Sequence, residues 1–144
     1  MELNKWLYNH VEFTDDMIPD GAVGFIYEMT AIIDGTSRYY IGKKNFYADV
    51  KVKLGKKALA EQTDKRLKKY KRVKKTTYQN YYSSNDVLKK AHKDGIVIRR
   101  EILMICYSAT ELTYQEAKHL ICNDVLDNPL YLNSNILGKF YKTK

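Results

Sequence analysis

The stretch that decides the fold is residues 22–44, AVGFIYEMTAIIDGTSRYYIGKK. Ala22 to Ile33 is apolar and β-branched, and a second β-forming run from Arg38 to Lys44 follows the pair Asp34-Gly35. Two such runs joined around Asp-Gly are typical of a hairpin, because both residues tolerate the positive φ of a tight turn. We therefore predict two antiparallel strands at the centre of the domain.

The rest of the chain supplies one more strand and the helices around it. Ile96 to Cys106 reads IVIRREILMIC, is rich in β-branched residues and is expected to pair with the hairpin. Helices are predicted from Lys57 to Tyr70, Ser84 to Asp94 and Glu111 to Leu126, with loops on either side of the first. The predicted fold is α+β, a small three-stranded antiparallel sheet flanked by helices.

The length of the chain indicates one domain. Its 144 residues suffice for one hydrophobic core, so we predict a single domain over 1–144 in which 1–20 is an N-terminal leader. Cys106 and Cys122 form no CxxC pair, and neither a zinc knuckle nor a disulfide framework is indicated. Without a secretory signal or a transmembrane stretch, the expected location is intracellular, in the cytoplasm.

Positive charge is concentrated in one part of the chain. The formal net charge is +8, and Lys43 to Lys75 holds 14 Lys or Arg against three acids, Asp49, Glu61 and Asp64. Such a block attracts polyanions. Because the run lacks the bulky apolar face of an interfacial helix, nucleic acid is favoured over a membrane. The alternative is a solvated basic face that only keeps the protein soluble.

Both strands of the predicted hairpin carry a short motif. They read Gly24-Phe25-Ile26-Tyr27 and Tyr39-Tyr40-Ile41-Gly42, and they resemble the GIY and YIG motifs of the GIY-YIG nucleases. The stretches YYSSNDVLKKA, RREIL and TYQEAK look like those of freestanding phage-encoded, homing-type endonucleases, so the resemblance extends from about Gly24 to Asn133. Either motif alone is weak evidence, but paired strands bring both tyrosines to one site.

The resemblance implies a metal-dependent endonuclease that hydrolyses phosphodiester bonds of double-stranded DNA. Tyr27 would be the general base or would position the attacking water, with Tyr40 hydrogen-bonded nearby. A phenol ordinarily titrates near pH ~10, so activity near neutral pH calls for cations that lower the pKa. The candidates for that lowering are Lys43, Lys44 and Arg66.

Glu116 is the metal ligand that the resemblance implies, holding one Mg²⁺ or Mn²⁺ that acts as a Lewis acid at the scissile phosphate. Its availability depends on where its helix begins. If Ser108 is the N-cap, Glu116 lies a turn inside the helix and is free. If Thr113 is the N-cap, Thr113-Tyr114-Gln115-Glu116 is a capping box whose glutamate accepts from the N-cap amide.

An arginine and an asparagine complete the site that the resemblance implies. Arg66 is followed by Tyr70 on the same helical face, and Arg72 is its alternative. Asn133 would tie the tail to the active-site strands through side-chain hydrogen bonds, with Asn135 as a close rival. The residues expected to contact the nucleic acid are Lys43, Lys44, Arg66, Tyr70 and Arg72.

A different class of function is also open, a catalytically silent nucleic-acid-binding or enzyme-regulating protein on the same fold. Composition does not separate the two. The joint presence of Tyr27, Tyr40, an arginine and Glu116 favours catalysis, because a binder could lose any of them cheaply. No second DNA-binding module is recognisable, so cleavage is expected to be loosely specific or to gain specificity from a homodimer.

Overall fold

The computed structural model describes residues 5–53 and 69–142. The strands are β1 (Trp6–Tyr8), β2 (Val11–Glu12), β3 (Gly24–Ile33), β4 (Thr36–Asn45), β5 (Tyr47–Lys53), β6 (Lys69–Lys75), β7 (Ile98–Cys106), β8 (Asn135–Ile136) and β9 (Phe140–Tyr141). The described helices are α1 (Asp86–Lys93) and α2 (Ala109–Cys122). The α+β class is confirmed.

The β3–β4 hairpin forms where the sequence predicts it. Its register runs from Gly24↔Asn45 to Ile33↔Thr36. Asp34 and Gly35 make the two-residue turn with φ values of 51° and 79°. Both values are positive, as a type I′ turn requires, and this turn matches the twist of the flanking strands.

The sheet is larger than predicted. Five strands lie in the order β2-β1-β7-β3-β4. β1 pairs with β7 in parallel and the remaining pairs are antiparallel, so the sheet is mixed. The prediction of three antiparallel strands is therefore wrong, although its three members are the strands β7, β3 and β4.

The extra strands come from the predicted leader. Trp6 in β1 is only 2% exposed, and its ring packs edge-on against Phe25 and Tyr27. Its indole Nε1 donates a hydrogen bond to the carbonyl of Tyr78 at 2.8 Å. A strand of three residues is too short to show the alternation by which strands are recognised in sequence.

The basic part of the chain also differs from the prediction. β5 and β6 form a separate antiparallel ribbon from Tyr47↔Lys75 to Lys53↔Lys69. The two stretches expected to be loops are therefore strands. Most of the predicted helix from Lys57 to Tyr70 lies outside the described residues, but its last two positions belong to β6.

Both described helices have side-chain N-caps. Asn85, one residue after the predicted cap Ser84, accepts hydrogen bonds from the backbone N–H of Val87 and Leu88 and so begins α1. The Ser108 hydroxyl accepts from the backbone N–H of Glu111 at 3.0 Å and begins α2. α2 ends at Cys122, short of the predicted Leu126.

The two helices cover different hydrophobic clusters of the sheet. On β3, Phe25 and Tyr27 belong to the cluster that includes Leu88 of α1, whereas Ile26 belongs to the one that includes Leu112 of α2. The alternation follows from the period of two of a strand. β4 and β2 are the edge strands of the sheet. None of the helices in the described ranges is long and apolar enough to cross a membrane.

Candidate active site

The two motifs meet through Tyr27 and Gly42, which are directly opposite each other on β3 and β4. A Cβ at position 42 would lie 2.6 Å from the Tyr27 Oη and 2.8 Å from its Cζ. These distances are shorter than real Cβ contacts allow. The glycine of the second motif therefore makes room for the phenol of the first.

Tyr27 and Tyr40 stack on each other rather than sharing a hydrogen bond. Their ring centroids are 6.3 Å apart at an interplanar angle of 30°. The Tyr27 hydroxyl instead donates to the Tyr81 hydroxyl at 3.5 Å, a weak bond, and the Tyr81 ring meets the Tyr27 ring edge-on. The site thus contains a third tyrosine that the sequence did not single out.

Both motif tyrosines are harder to ionise than a free phenol. Burial raises the pKa of Tyr27 well above its usual value, and the neighbouring Tyr81 adds to this effect. Burial also raises the pKa of Tyr40, although a hydrogen bond with Ser84 opposes the rise. Both tyrosines are therefore neutral phenols near neutral pH.

The pKa of Tyr27 is raised rather than lowered, contrary to our expectation from Lys43 and Lys44. Lys43 acts on Glu116 instead, whose carboxyl pKa it lowers. Lys44 places its Nζ 4.5 Å from the centre of the Tyr81 ring, a cation–π contact. Of the three predicted cations, only Arg66 lies outside the described residues.

Glu116 is free of helix capping. Because Ser108 is the N-cap of α2, the alternative in which Thr113 begins the helix is excluded. The glutamate that caps this helix is Glu111, whose carboxylate accepts a hydrogen bond from the backbone N–H of Tyr107 at 2.7 Å. Thr113 instead accepts a hydrogen bond from the Lys43 ammonium at 3.0 Å.

The carboxyl group of Glu116 is half-buried beside the tyrosines. Burial raises its pKa, and Lys43 opposes the rise. Its negative charge in turn raises the pKa values of Tyr27 and Tyr40. Within residues 5–53 and 69–142, the carboxylate makes no hydrogen bond or ion pair, so it is available to a ligand.

Glu116 and Tyr40 open into a cleft of about 390 Å³. The cleft lies between β4, the start of α1, α2 and the tail, and its lining is largely polar. It is lined by Tyr40, Ile41, Ser84, Asn85, Asp86, Glu116, Leu120, Asn133, Ser134, Asn135 and Leu137. Tyr27, which is 1% exposed, lies behind Tyr40.

Asn133 ties the tail to β4. Its side-chain oxygen accepts from the backbone N–H of Ile41 at 3.1 Å, and its Nδ2 donates to the Ile41 carbonyl at 2.7 Å. One residue earlier, Leu132 donates its N–H to the carbonyl of Tyr39 at 2.7 Å. The side-chain amide thus takes the place of a neighbouring strand. Asn135 instead accepts from the N–H of Gly138 within the tail.

The position of the site arginine is not given by the structure. Arg66 lies outside the described residues, and for Tyr70 and Arg72 the structure describes only the backbone of β6. Arg100 on β7 is a buried arginine that sequence reasoning missed, and burial lowers its pKa to about 10.

Arg100 supports the segment that carries Tyr81. Its Nη1 donates to the Tyr81 carbonyl at 2.8 Å. Its guanidinium lies 4.7 Å from the ring centroid of Trp6 and 4.2 Å from that of Tyr82. The only sequence signal for Tyr81 was its membership of the stretch YYSSNDVLKKA, whereas Ser84 was predicted only as a helix cap.

The donor set of the cleft is compatible with magnesium. Carboxylate, hydroxyl and amide oxygens line it, and Glu116 and Asp86 are its carboxylates. The described ranges contain no group of three or more His, Cys, Asp or Glu that could hold a metal ion by itself. Mg²⁺ usually keeps several waters and uses one or two carboxylates together with substrate phosphates, a requirement that the chemistry of this lining fits.

Comparison with known families agrees with this geometry. The family model described as "Putative endonuclease segE, GIY-YIG domain" matches residues 6–136, which include the hairpin, α2 and Asn133. Searches of curated proteins and of solved structures returned no match. Because the match covers most of the chain, the protein belongs to the segE family of GIY-YIG endonuclease domains.

Proposed function

We propose that the protein is a metal-dependent endonuclease that hydrolyses phosphodiester bonds of double-stranded DNA in the cleft between β4 and α2. Membership of an endonuclease family implies nuclease activity in general. The observation that carries the proposal is the half-buried carboxylate of Glu116 beside the Tyr27–Tyr40 stack, a carboxylate that has no hydrogen-bond or ion-pair partner among the described residues. The net charge of +8 suits a polyanionic substrate.

In the proposed reaction the tyrosines act as neutral hydrogen-bonding groups. Since burial keeps Tyr27 and Tyr40 protonated, the phenols position the attacking water rather than abstract its proton, which would pass to a phosphoryl oxygen of the substrate. Tyr40 lines the cleft and is the one that meets the water, whereas Tyr27 holds Tyr40 in place. This division of roles differs from both roles that the family resemblance implies for Tyr27, because Tyr40 rather than Tyr27 meets the water.

The negative charge of the phosphate would be neutralised by a metal ion and by basic side chains. A Mg²⁺ or Mn²⁺ ion held by Glu116 would supply Lewis acidity at the leaving oxygen. Lys43, whose Nζ is fixed on Thr113, and Arg66 or Arg72 would neutralise the phosphoryl oxygens. Asn133 keeps β4 in register with the tail, and so keeps Tyr40 in place.

The test is the conversion of supercoiled plasmid by the wild-type protein in Mg²⁺ or Mn²⁺. We expect nicked or linear DNA with the metal and none after chelation. Glu116→Gln, which keeps the size of the side chain and removes its charge, should abolish conversion. If the wild-type protein retards DNA in a gel but leaves it supercoiled with either metal, the protein is a catalytically silent binder.

A further inference from the structure

The β5–β6 ribbon projects from the active-site strand. Phe46 alone separates β5 from the end of β4, and its ring is fully buried against those of Phe25 and Tyr78. The Thr76 backbone N–H donates to the Phe46 carbonyl at 2.8 Å, and the Thr76 hydroxyl donates to the Asn45 carbonyl at 2.7 Å. The base of the ribbon is therefore fixed to the domain core.

A second contact holds the other strand of the ribbon. The ammonium of Lys75, the last residue of β6, forms an ion pair with Asp15. Asp15 also accepts hydrogen bonds from Tyr78 and Gln79. The hydrogen bonds from Lys75 and Tyr78 lower the pKa of the Asp15 carboxyl, which keeps it ionised.

The register of the ribbon places like charges opposite each other. Lys51 is the partner of Lys71, and Lys53 is the partner of Lys69. Directly opposite residues belong to the same face of an antiparallel pair, so these four positions define one face, here called the lysine face. Like charges in this arrangement destabilise a pair of strands, and an isolated two-stranded hairpin is only marginally stable.

The repulsion between these lysines destabilises the ribbon in the free protein, and a bound polyanion would relieve it. The two strands contain seven Lys or Arg and one acid, Asp49. Among the described residues, neither strand pairs with the five-stranded sheet. Within residues 5–53 and 69–142, the ribbon is thus a basic element of two strands, unpaired on both edges and fixed at one end.

We propose that this ribbon lies in the major groove of duplex DNA with its lysine face towards the base edges, an inference that rests on the proposed nuclease function. The major groove of B-form DNA is about 12 Å wide and admits a two-stranded ribbon. Lysine donates well to the N7 and O6 atoms of guanine, which face this groove. The substrate is therefore duplex DNA rather than single strands.

The distance along the chain fits one continuous duplex. At about 3.3 Å per residue, a fully extended chain would place Tyr47 at most roughly 17 Å and Lys53 at most roughly 36 Å from Gly42. One turn of B-form DNA is about 34–36 Å long. The ribbon therefore contacts the same duplex within about one helical turn of the phosphate that the cleft holds.

The test measures binding to a duplex and to a single strand of equal length by the full chain carrying Glu116→Gln, without metal. Adding Lys71→Glu puts an opposite charge across from Lys51, which favours pairing of the ribbon. We expect duplex affinity to fall roughly tenfold and its dependence on salt to become shallower. Unchanged duplex affinity would overturn the proposal.

The matched control is Lys93→Glu, the same charge change at the last residue of α1, the helix whose first residue lines the cleft. We expect a much smaller loss of affinity. Methylation of guanine N7, in the major groove, should block binding, whereas methylation of adenine N3, in the minor groove, should not. An equal loss with Lys93→Glu, or interference at adenine N3 alone, would contradict the proposal.

The two proposals fail separately. If plasmid is cleaved but Lys71→Glu binds the duplex normally, the ribbon proposal is wrong and the nuclease proposal stands. If plasmid is not cleaved but Lys71→Glu and guanine methylation each weaken binding, the ribbon proposal stands for a protein that binds DNA without cutting it.

Discussion

The Tyr27 hydroxyl occupies the space over Gly42 that a side chain would fill, 2.6 Å from the place of a Cβ atom. The two short motifs of the hairpin are thus halves of one packing arrangement, in which the glycine admits the phenol. The Tyr27 ring is held further by Trp6 and Tyr81, both of which meet it edge-on.

Gly42→Ala should displace Tyr27 and Tyr40 and lower the cleavage rate. The added methyl group would lie 3.1 Å from Tyr40 Cε1 as well as against Tyr27. Overpacking of a buried site costs about 1–3 kcal/mol, which we expect to see as a lower free energy of unfolding in urea.

The matched control for Gly42→Ala is Gly24→Ala. Its Cβ would meet the Lys44 carbonyl oxygen at 2.5 Å and Leu112 at 2.9 Å, away from the tyrosines. It should destabilise the fold while sparing the rate of whatever protein remains folded. Equal rates per folded molecule in the two variants would mean that the Gly42 contact serves stability alone.

Tyr81→Phe should lower kcat several-fold with little change in KM or stability. The substitution keeps the edge-on ring contact and removes the hydroxyl that lies 3.5 Å from that of Tyr27. Steady-state cleavage of a labelled duplex measures both constants. Tyr107→Phe, at an exposed position between β7 and α2, is the control. A rise in KM alone would assign Tyr81 to DNA binding.

Asn133→Asp should destabilise the protein by about 2–3 kcal/mol, because a buried carboxylate cannot donate to the Ile41 carbonyl and leaves it unpaired. The free energy of unfolding in urea measures the loss. Asn135→Ala, which removes only hydrogen bonds within the tail such as the one from the Gly138 N–H, should cost under about 1 kcal/mol. If Asn135→Ala cost more stability than Asn133→Asp, Asn135 rather than Asn133 would be the residue that holds the tail on β4.

The pH dependence of stability reports the burial of Glu116. Its pKa is raised above 4.5 in the folded state, so the native protein binds more protons than the unfolded one between the two pKa values. In metal-free protein, the contribution of Glu116 to stability is therefore complete below its pKa in the unfolded state. This contribution is lost as pH rises through its pKa in the folded state.

Comparison with Glu116→Gln isolates this effect from that of Glu28, whose pKa burial also raises. We expect the stability of the wild type to fall relative to the variant as pH is raised through this window. Lys43→Met should enlarge the fall, since Lys43 lowers the Glu116 pKa. Parallel stability curves for wild type and Glu116→Gln would show that the carboxyl is not perturbed.

Local sequence signals predicted the elements whose pattern is long and continuous. The Asp34-Gly35 turn, the third strand and the helix after Ser108 each carry a turn residue, a β-branched run or a cap within the element itself. The hairpin also predicted that Tyr27 and Gly42 would lie on paired strands. Each of these elements is therefore indicated by residues within or next to the element, even where its partner strand is distant, as for β7 and β3.

The elements that the sequence did not reveal depend on distant partners. β1 has only three residues and becomes a strand by pairing with β7, which follows about ninety residues later in the chain. In this pairing Trp6 lies opposite Arg100. In the ribbon, Val50 to Lys53 alternate valine and lysine as a strand does. The high charge of this part of the chain nevertheless led to a prediction of loops around a basic helix. Tyr81 enters the site because Arg100 and the packing of its segment place it there.

The central claim is that the Glu116 carboxylate acts in the chemical step, and single-turnover cleavage of an end-labelled duplex tests it most directly. Binding of that duplex without metal is measured beside the rate for wild type and Glu116→Gln. The account predicts similar affinities and a loss in rate of about a hundredfold or more. A variant that cleaves at the wild-type rate with metal would contradict it.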